Sequence, residues 1–221
     1  MTKNVLITGA NRGIGLAMAT EFSQLGYCVY GVCRQSSEAL DALGTKVISN
    51  IDVADSEAVE RLASELSGVA LDIVVCNAGI LRDESLGDLN LATIRQQFEV
   101  NALAPLAIVD ALHTNLISGA KVAMITSRMG SIADNGSGGR YGYRMSKAAL
   151  NAAAMSLSKD LAARDIAVGI YHPGYVQTDM VRGNGDISAT EAGQRLVQLI
   201  EQLSMSETGV FKHSNGQVLP W

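Results

Sequence analysis

The amino-acid sequence predicts an α/β fold with a doubly wound, mostly parallel sheet and helices on both faces. Short runs of β-branched and other apolar residues alternate with longer helical patterns along the chain. These runs show little polar alternation, which is typical of strands buried on both faces. Right-handed crossovers between such strands make them parallel. We predict strands over residues 4–8, 28–33, 46–50, 72–76, 121–126 and 166–171.

Two of the helical segments are unusual. A long helix is predicted over 91–116, and a second helix over 147–164 carries small residues on more than one face. Close packing on both sides would explain the small residues, either against the sheet or at a subunit interface, and both explanations remain open. The stretch 211–221 is predicted to add a last edge strand, with residues 213–216 as a turn.

Length and charge limit the classes of function. With 221 residues and 48% hydrophobic content, residues 1–221 are expected to form one domain. The net charge of −5 comes from interspersed residues without a basic run, which argues against nucleic acid as a partner. No apolar run approaches the ~20 residues that cross a bilayer, and the first residues read as a buried strand and not as a leader. We expect a cytoplasmic protein without a membrane partner.

Neither cysteine nor histidine spacing indicates a metal or a disulfide framework. Cys28, Cys33 and Cys76 lie in apolar runs without C-x-x-C pairing, which suits buried thiols in a reducing compartment. The three histidines are scattered without ligand spacing, so no metal site is predicted.

A glycine-rich turn separates the first strand from the first helix. It reads Thr8-Gly9-Ala10-Asn11-Arg12-Gly13-Ile14-Gly15. Glycines at this place allow a tight turn and let the backbone and the helix N-terminus approach a pyrophosphate. The turn therefore predicts a dinucleotide site that includes Gly9, Asn11, Arg12, Gly13, Ile14 and Gly15. A turn that merely packs closely is the alternative.

The residues after the second and third strands bear on the choice of cofactor. Arg34 follows the second strand, where enzymes that use NAD place a carboxylate for the ribose 2′-hydroxyl. A guanidinium attracts a 2′-phosphate, and Arg12 adds a second positive charge, so the sequence favours NADP(H). Asp52, followed by Val53, is a candidate for contact with adenine, although Asp52 could equally cap the helix that starts near residue 55.

Tyr143 and Lys147 are four residues apart on a predicted helix. They should lie on one face, ~5–6 Å from each other. An ammonium ~4 Å from a phenolate oxygen is worth ~4 kcal/mol at an effective dielectric near 20, or on the order of 3 pKa units. We therefore expect the Tyr143 pKa to be lowered. Taken alone, the pair is common on exposed helices.

Several motifs occur together in order. They are the turn over 8–15, Cys76-Asn77-Ala78-Gly79, Asn101, Ser127-Arg-Met-Gly130, Tyr143-x-x-x-Lys147, and Pro173-Gly174 with Thr178. In this order they resemble the short-chain dehydrogenase/reductase family over essentially the whole chain. Segments 127–135, 141–151 and 219–221 are similar to its carbonyl-reductase branch, which includes sniffer carbonyl reductase and the bacterial C-factor proteins.

The resemblance implies a Rossmann-type fold and a set of roles. Tyr143 would donate a proton to a carbonyl oxygen polarised by Ser127, while hydride arrives from NADP(H). Lys147 would bind the nicotinamide ribose and lower the Tyr143 pKa, and Asn101 would position a water that links Lys147 to solvent. Further residues would line the cofactor: Val53, Asn77, Ala78, Gly79, Pro173, Gly174, Val176 and Thr178. The substrate would be an aldehyde, ketone or quinone.

Some positions depart from the family pattern. The interval between Ser127 and Tyr143 is longer than usual, so Ser131 is an alternative, although Ser127 directly follows the strand. Cys76 replaces an Asn of the family motif. Tyr141 is a rival for Tyr143 but has Met145, and not Lys, four residues later.

Further expectations concern the substrate, the alternative functions and the oligomeric state. The short segment 181–187 predicts an open site, and residues 81, 129, 175 and 180 could give it an apolar lining or could belong to the core. A signalling or sensing protein that binds NADP(H) with little turnover is the alternative function. A nucleotide-sugar epimerase would usually need a larger C-terminal substrate domain. We expect a homodimer.

Overall fold

The computed structural model describes residues 2–221. Met1, one of the first residues read as a buried strand, lies outside the described residues. Seven strands form one sheet in the order β3-β2-β1-β4-β5-β6-β9, and all six neighbouring pairs are parallel. Two further strands, β7 and β8, pair with each other. The strands are β1 Asn4–Thr8, β2 Cys28–Val32, β3 Lys46–Ile48, β4 Leu71–Cys76, β5 Leu116–Ile125, β6 Ala167–His172, β7 Val176–Gln177, β8 Ile187–Ser188 and β9 Phe211–His213. The predicted fold class is confirmed.

Helices cover both faces of the sheet. They are α1 Gly13–Gln24, α2 Glu38–Asp41, α3 Ser56–Glu65, α4 Leu91–Phe98, α5 Ala104–Ala111, α6 Tyr141–Asp160 and α7 Ala189–Gln202. One apolar core lies between the sheet and α3, α5 and α6, and a second lies between the sheet and α1, α2 and α7. Within residues 2–221, no helix combines the length and the apolar character that a membrane span requires.

The sheet has its switch point at β1. Its neighbours are β2 on one side and β4 on the other, with Leu6 opposite both Tyr30 and Val74. Chain connections therefore diverge at the carboxyl ends of β1 and β4, where open α/β sheets bind their ligands. The predicted nucleotide turn follows β1 at this place.

The single long helix predicted over 91–116 is wrong. Helix α4 ends at Phe98, a π-helical turn covers Glu99–Leu103, and α5 then ends at Ala111. Pro105 lies in the first turn of α5, and it has no backbone N–H to donate to the carbonyl four residues earlier, at Asn101. Leu116 belongs to β5, which begins five residues before the predicted strand and pairs there with Leu71 across an irregularity.

Two other boundaries also differ. Helix α6 begins at Tyr141 and not at Lys147, and a short 3₁₀ turn over Ala162–Arg164 follows its end at Asp160. The predicted edge strand at the C-terminus is confirmed, because β9 pairs with β6 and is followed by a turn in which Gly216 donates to the His213 carbonyl at 2.8 Å.

Candidate active site

The glycine turn after β1 depends on close contact between backbone segments. Gly9 and Gly13 have φ values of +68° and +53°, in the left-handed region that glycine adopts at low cost. A Cβ on Gly15 would lie 2.1 Å from the Gly9 oxygen and 2.6 Å from Asn77 Nδ2. Gly15 is thus required for α1 to start against the turn, so close packing and the predicted nucleotide role apply to the same glycines.

The N-terminus of α1 has free hydrogen-bond donors. Its N-cap residue, Arg12, makes no side-chain cap hydrogen bond, and the first turn contains no acidic residue. By contrast, the side chains of Asp55, Asn90 and Ser188 cap α3, α4 and α7. Unsatisfied N–H groups and the positive end of the dipole suit a phosphate group. The residues of this turn therefore fit the pyrophosphate of a dinucleotide.

The two predicted arginines lie near this end of the sheet. Arg34 is exposed two residues after the end of β2, and its carbonyl accepts from Asn50 N at 3.1 Å. Arg12 is 3.6 Å from Asp179 in an exposed ion pair, which is worth little in water. Both guanidinium groups are accessible to an anionic ligand.

Asp52 does not cap the helix. Asp55 is the N-cap of α3 and accepts from Glu57 N at 3.0 Å, whereas Asp52 accepts from Ala54 N at 3.0 Å in the preceding turn. The helix-cap alternative for Asp52 is therefore wrong. Asp52 remains exposed, and Val53 packs against the core.

Thr8 joins the two strand ends at the switch point. Its hydroxyl accepts from the backbone N–H groups of Asn77 and Ala78, at 3.0 and 3.1 Å. Asn77 Nδ2 donates in return to the Thr8 carbonyl at 3.0 Å. A hydroxyl at a strand end gives no pattern in sequence, so sequence reasoning assigns no role to Thr8. The structure shows that it fixes the Asn77-Ala78-Gly79 segment beside the glycine turn.

Tyr143 and Lys147 are buried together on α6. They are 9% and 4% exposed, and Lys147 Nζ lies 5.9 Å from the centroid of the Tyr143 ring. Lys147 Nζ donates to the Ile125 carbonyl at 2.9 Å, at the end of β5. Because an ammonium has three donors, two remain for a ligand.

The expected lowering of the Tyr143 pKa is wrong. Burial raises the Tyr143 pKa, and the opposing effects of a hydrogen bond with Ser127 and of the Arg140 charge are smaller. Burial also lowers the pKa of Lys147 to about 8, against a smaller effect of Cys76. The two charges attract only where both groups are ionised, and burial penalises both charged forms, an effect that depends on tertiary packing and not on the four-residue spacing.

Ser127 and Ser131 differ in what they contact. Ser127 is buried two residues after the end of β5 and accepts from Met129 N at 3.1 Å, and its hydroxyl lies near enough to Tyr143 to act against the rise in the pKa of the phenol. Ser131 is also buried but caps the backbone of Asp134, whose N–H it binds at 3.1 Å. Of the two serines, Ser127 is the one that influences the Tyr143 pKa.

Asn101 lies in the π-helical turn and is fully buried. Its side chain makes two 2.8 Å hydrogen bonds with the backbone of Ile80, and its Nδ2 also donates to Ser146 Oγ at 3.0 Å. A Cβ on Gly79 would lie 3.2 Å from Asn101 Oδ1 and 3.7 Å from Lys147 Nζ. The predicted residues 79, 101 and 147 are therefore brought together.

The segment after β6 completes the site. Gly174 has a φ of +102°, Val176 is buried in β7, and Thr178 Oγ1 donates to the Val176 carbonyl at 3.4 Å. A Cβ on Gly13 would lie 3.4 Å from Thr178 Cγ2, so Pro173–Thr178 reaches the glycine turn. Tyr175 and Met180 are about half exposed, which agrees with an open site.

Comparisons with known proteins agree with the motifs. Residues 3–188 match the family described as short chain dehydrogenase. The chain is 38% identical over 223 residues to 1-hydroxy-2-glutathionyl-2-methyl-3-butene dehydrogenase of Rhodococcus sp. strain AD45, covering 98% of the chain and 99% of the relative. It is 40% identical over 154 residues to C-signal of Myxococcus xanthus, covering 68% of the chain and 93% of that relative.

Solved structures of carbonyl reductases superpose on the whole chain. Carbonyl reductase Sniffer of D. melanogaster superposes with a TM-score of 0.91 at 27% identity, covering 100% of both chains. NADPH-bound carbonyl reductase from chicken fatty liver has a TM-score of 0.88 at 27% identity, covering 100% of this chain and 99% of the other. The predicted similarity to the carbonyl-reductase branch is confirmed.

Proposed function

The chain belongs to the short-chain dehydrogenase/reductase family, and on that premise we propose that it is an NADPH-dependent reductase of aldehydes, ketones or quinones. The observation that carries the proposal is the buried group formed by Ser127, Tyr143 and Lys147. A buried phenol whose pKa is influenced by a nearby serine hydroxyl, one helical turn from a lysine with spare donors, is suited to proton transfer to a carbonyl oxygen.

Tyr143 and Ser127 act on the carbonyl oxygen of the substrate. NADPH, when bound, supplies the hydride that reduces the carbonyl carbon. Tyr143 donates its proton to the carbonyl oxygen, and Ser127 donates a hydrogen bond to the same oxygen, where charge develops. The raised pKa of Tyr143 keeps the phenol protonated at neutral pH, which is the form that a proton donor needs.

Lys147 and Asn101 serve the proton donor. The two free donors of Lys147 would hold the nicotinamide ribose, and the positive charge of Lys147 near Tyr143 would assist release of the proton. Asn101 positions a water that reconnects Lys147 to solvent. The backbone and side chains of Asn77, Ala78, Gly79 and Thr178 line the nicotinamide end.

The preference for NADPH over NADH rests on Arg34 and Arg12. Both are exposed near the carboxyl ends of β1 and β2, and neither guanidinium is held in a buried ion pair. A 2′-phosphate would gain charge-assisted hydrogen bonds there. The solved carbonyl reductase from chicken fatty liver has NADPH bound, which supports the same choice.

The first experiment follows oxidation of NADPH by absorbance with phenanthrenequinone as substrate. Wild type should turn over with a preference for NADPH, and Tyr143→Phe should lose about 2–4 orders of magnitude in kcat while it still binds NADPH. Tyr30→Phe, a buried tyrosine on β2, is the matched control and should behave as wild type. Arg34→Glu should weaken the preference for NADPH.

The similarity to C-signal favours a second candidate, a signalling or sensing protein that binds NADP(H) with little turnover. The two functions differ in their requirement for the phenol. If wild type binds NADPH but reduces none of a broad panel of carbonyl compounds, the signalling function becomes the leading account and the catalytic roles fail.

A homodimer and a cytoplasmic location remain predictions. Helix α6 turns one side toward the core, where Leu150 and Ala154 are buried, and leaves Ala152 exposed on another. Small exposed residues permit close approach of a second helix, so we propose that this side of α6 contacts a second copy. Light scattering of the purified protein tests the dimer.

A further inference from the structure

Glu84 is a buried carboxylate outside the residues assigned so far. It is 4% exposed in the connection between β4 and α4. Its Oε1 accepts from Gln97 Nε2 at 2.6 Å and from Thr93 Oγ1 at 3.0 Å, and its Oε2 accepts from Gly142 N at 3.2 Å. Within residues 2–221 it forms no ion pair. Its polar contacts are therefore with hydrogen-bond donors and with the positive end of α6.

The start of α6 has no cap of its own. Its N-cap residue, Arg140, has a left-handed backbone with φ 51° and ψ 45° and makes no side-chain cap hydrogen bond. This conformation is costly for a residue other than glycine and persists only where its surroundings hold it. Glu84 supplies two contacts there, because its carbonyl accepts from Arg140 N at 2.8 Å and its carboxylate accepts from Gly142 N. A distant segment thus caps the helix that carries Tyr143.

Gln97 fixes the carboxylate from the other side. It is fully buried on α4, and its Oε1 accepts from Arg82 N at 2.9 Å. A Cβ on Gly142 would lie 2.4 Å from Gln97 Nε2, so α4 and the first turn of α6 are in direct contact. The Glu84–Gln97 pair therefore holds the β4–α4 connection, α4 and the start of α6 in one arrangement.

We propose that Glu84, paired with Gln97, is a positioning residue that sets the place of Tyr143 relative to the substrate carbonyl. Tyr143 directly follows Gly142, the residue whose N–H the carboxylate binds. A displacement of the first turn of α6 moves the phenol while Lys147, one turn later, keeps its bond to the Ile125 carbonyl. The inference rests on the proposed function, since it assigns Tyr143 the role of proton donor.

Two variants separate hydrogen bonding from size and charge. Glu84→Gln keeps the shape of the side chain, but one of its two oxygens becomes an amide N–H₂ group. Because each oxygen of Glu84 accepts from a donor, the new group faces either Gln97 Nε2 or Gly142 N, and two donors then face each other. The double variant Glu84→Gln with Gln97→Glu restores the hydrogen bond between the two side chains: the new amide donates to the new carboxylate and accepts from Gly142 N, and the carboxylate also accepts from Arg82 N. The one bond that it does not restore is the 3.3 Å bond from the residue 97 side chain to the Thr93 carbonyl. Asp83→Asn is the matched control, because Asp83 is an adjacent, exposed carboxylate that binds Arg140 Nε at 2.8 Å.

The kinetic readout is kcat for phenanthrenequinone beside the dissociation constant of NADPH. Glu84→Gln should lower kcat by about tenfold to a hundredfold, as a small misplacement of a reacting group does, and leave NADPH binding near the wild-type value. The double variant should recover most of kcat, and Asp83→Asn should match wild type. A double variant as slow as Glu84→Gln would overturn the proposal, and so would a Glu84→Gln protein with wild-type kcat.

Hydrogen exchange provides a readout that needs no turnover. Backbone amides of residues 140–147 should lose protection in Glu84→Gln, keep it in Asp83→Asn and regain it in the double variant. Unchanged protection in Glu84→Gln would overturn the proposal even where kcat falls. If wild type reduces no carbonyl compound, the proposed function fails, while the exchange pattern still decides whether Glu84 holds the start of α6.

Discussion

Lys147 holds its amine in the protein interior without a carboxylate beside it. Within residues 2–221, the Lys147 amine makes one hydrogen bond, to the Ile125 carbonyl. Burial lowers the pKa of Lys147 from 10.5 to about 8. At neutral pH the folded protein therefore carries a desolvated ammonium that the unfolded chain would hold in water. A residue retained at such a cost for folding is expected to serve ligand binding.

Replacement of Lys147 by Met should stabilise the cofactor-free protein. The Lys147 pKa is about 8 in the folded protein and 10.5 in the unfolded chain, so the unfolded chain binds the proton more tightly. The buried ammonium therefore destabilises the folded protein, and this destabilisation is complete below pH 8. This difference in pKa corresponds to roughly 3 kcal/mol of stability that the variant gains. The gain is offset by about 1–2 kcal/mol, because the variant leaves the buried Ile125 carbonyl without its hydrogen-bond donor. We expect Lys147→Met to unfold at higher denaturant concentration than wild type at neutral pH.

The advantage of Lys147→Met should shrink as pH rises from about 8 to 10.5, because the wild-type lysine is then neutral in the folded state while the unfolded chain is still protonated. Urea titrations of both proteins across this range measure the difference. Equal stabilities at every pH would contradict the assignment of a buried, destabilising ammonium.

At the scale of secondary structure, most strands could be predicted from the sequence, but the interruption of the helix predicted over 91–116 could not. Continuous apolar runs identified β1, β2, β4 and β6 to within one residue, because burial on both faces leaves a simple pattern. The apolar spacing over 91–116 could not separate an α-helix from a π-helical turn, since both place apolar residues toward the core. Pro105 was the available signal for the interruption near Asn101.

The site was predictable to the extent that its residues form motifs. The resemblance to the family grouped Gly79, Asn101 and Lys147, which the structure brings together. The position of Ser127 directly after the predicted strand favoured it over Ser131, although the spacing to Tyr143 is more usual for Ser131. The role of Glu84 gives no such signal, because one acidic residue in a polar connection resembles solvated surface. The direction of the Tyr143 pKa was missed because burial depends on tertiary packing.

The contact between α1 and the glycine turn leads to a prediction for that helix. In Gly15→Ala, the new Cβ would meet the Gly9 oxygen at 2.1 Å, so α1 must move away from the turn. We expect a loss of about 1–3 kcal/mol in unfolding free energy from overpacking, together with weaker NADPH binding because the helix N-terminus is displaced. Gly136→Ala is the control, because a Cβ there meets nothing within 4 Å. Tight NADPH binding by Gly15→Ala would show that the start of α1 does not contact the phosphates.

The whole molecule is organised around one continuous sheet. Its strand order places β9, near the C-terminus, at one edge and β1, which leads into the nucleotide turn, third from the other edge. The C-terminal residue, Trp221, stacks on Phe211 of β9 with ring centroids 5.3 Å apart and accepts a hydrogen bond from Ala133 N at 2.8 Å. The end of the chain is thereby tied to the connection that precedes α6.

A single domain over residues 1–221 predicts that nucleotide binding stabilises the distant C-terminal edge. Trp221 is the only tryptophan, so its fluorescence reports that edge, whereas circular dichroism reports the helices and the sheet as a whole. Both signals should change in one coincident transition. NADPH at a hundred times its dissociation constant should raise the unfolding free energy by about 2.7 kcal/mol by both signals, because it binds the folded state alone. In Gly15→Ala, the same NADPH concentration should move either transition much less. A Trp221 transition that ignores NADPH while the circular dichroism transition shifts would mean that the C-terminal edge unfolds independently of the nucleotide end.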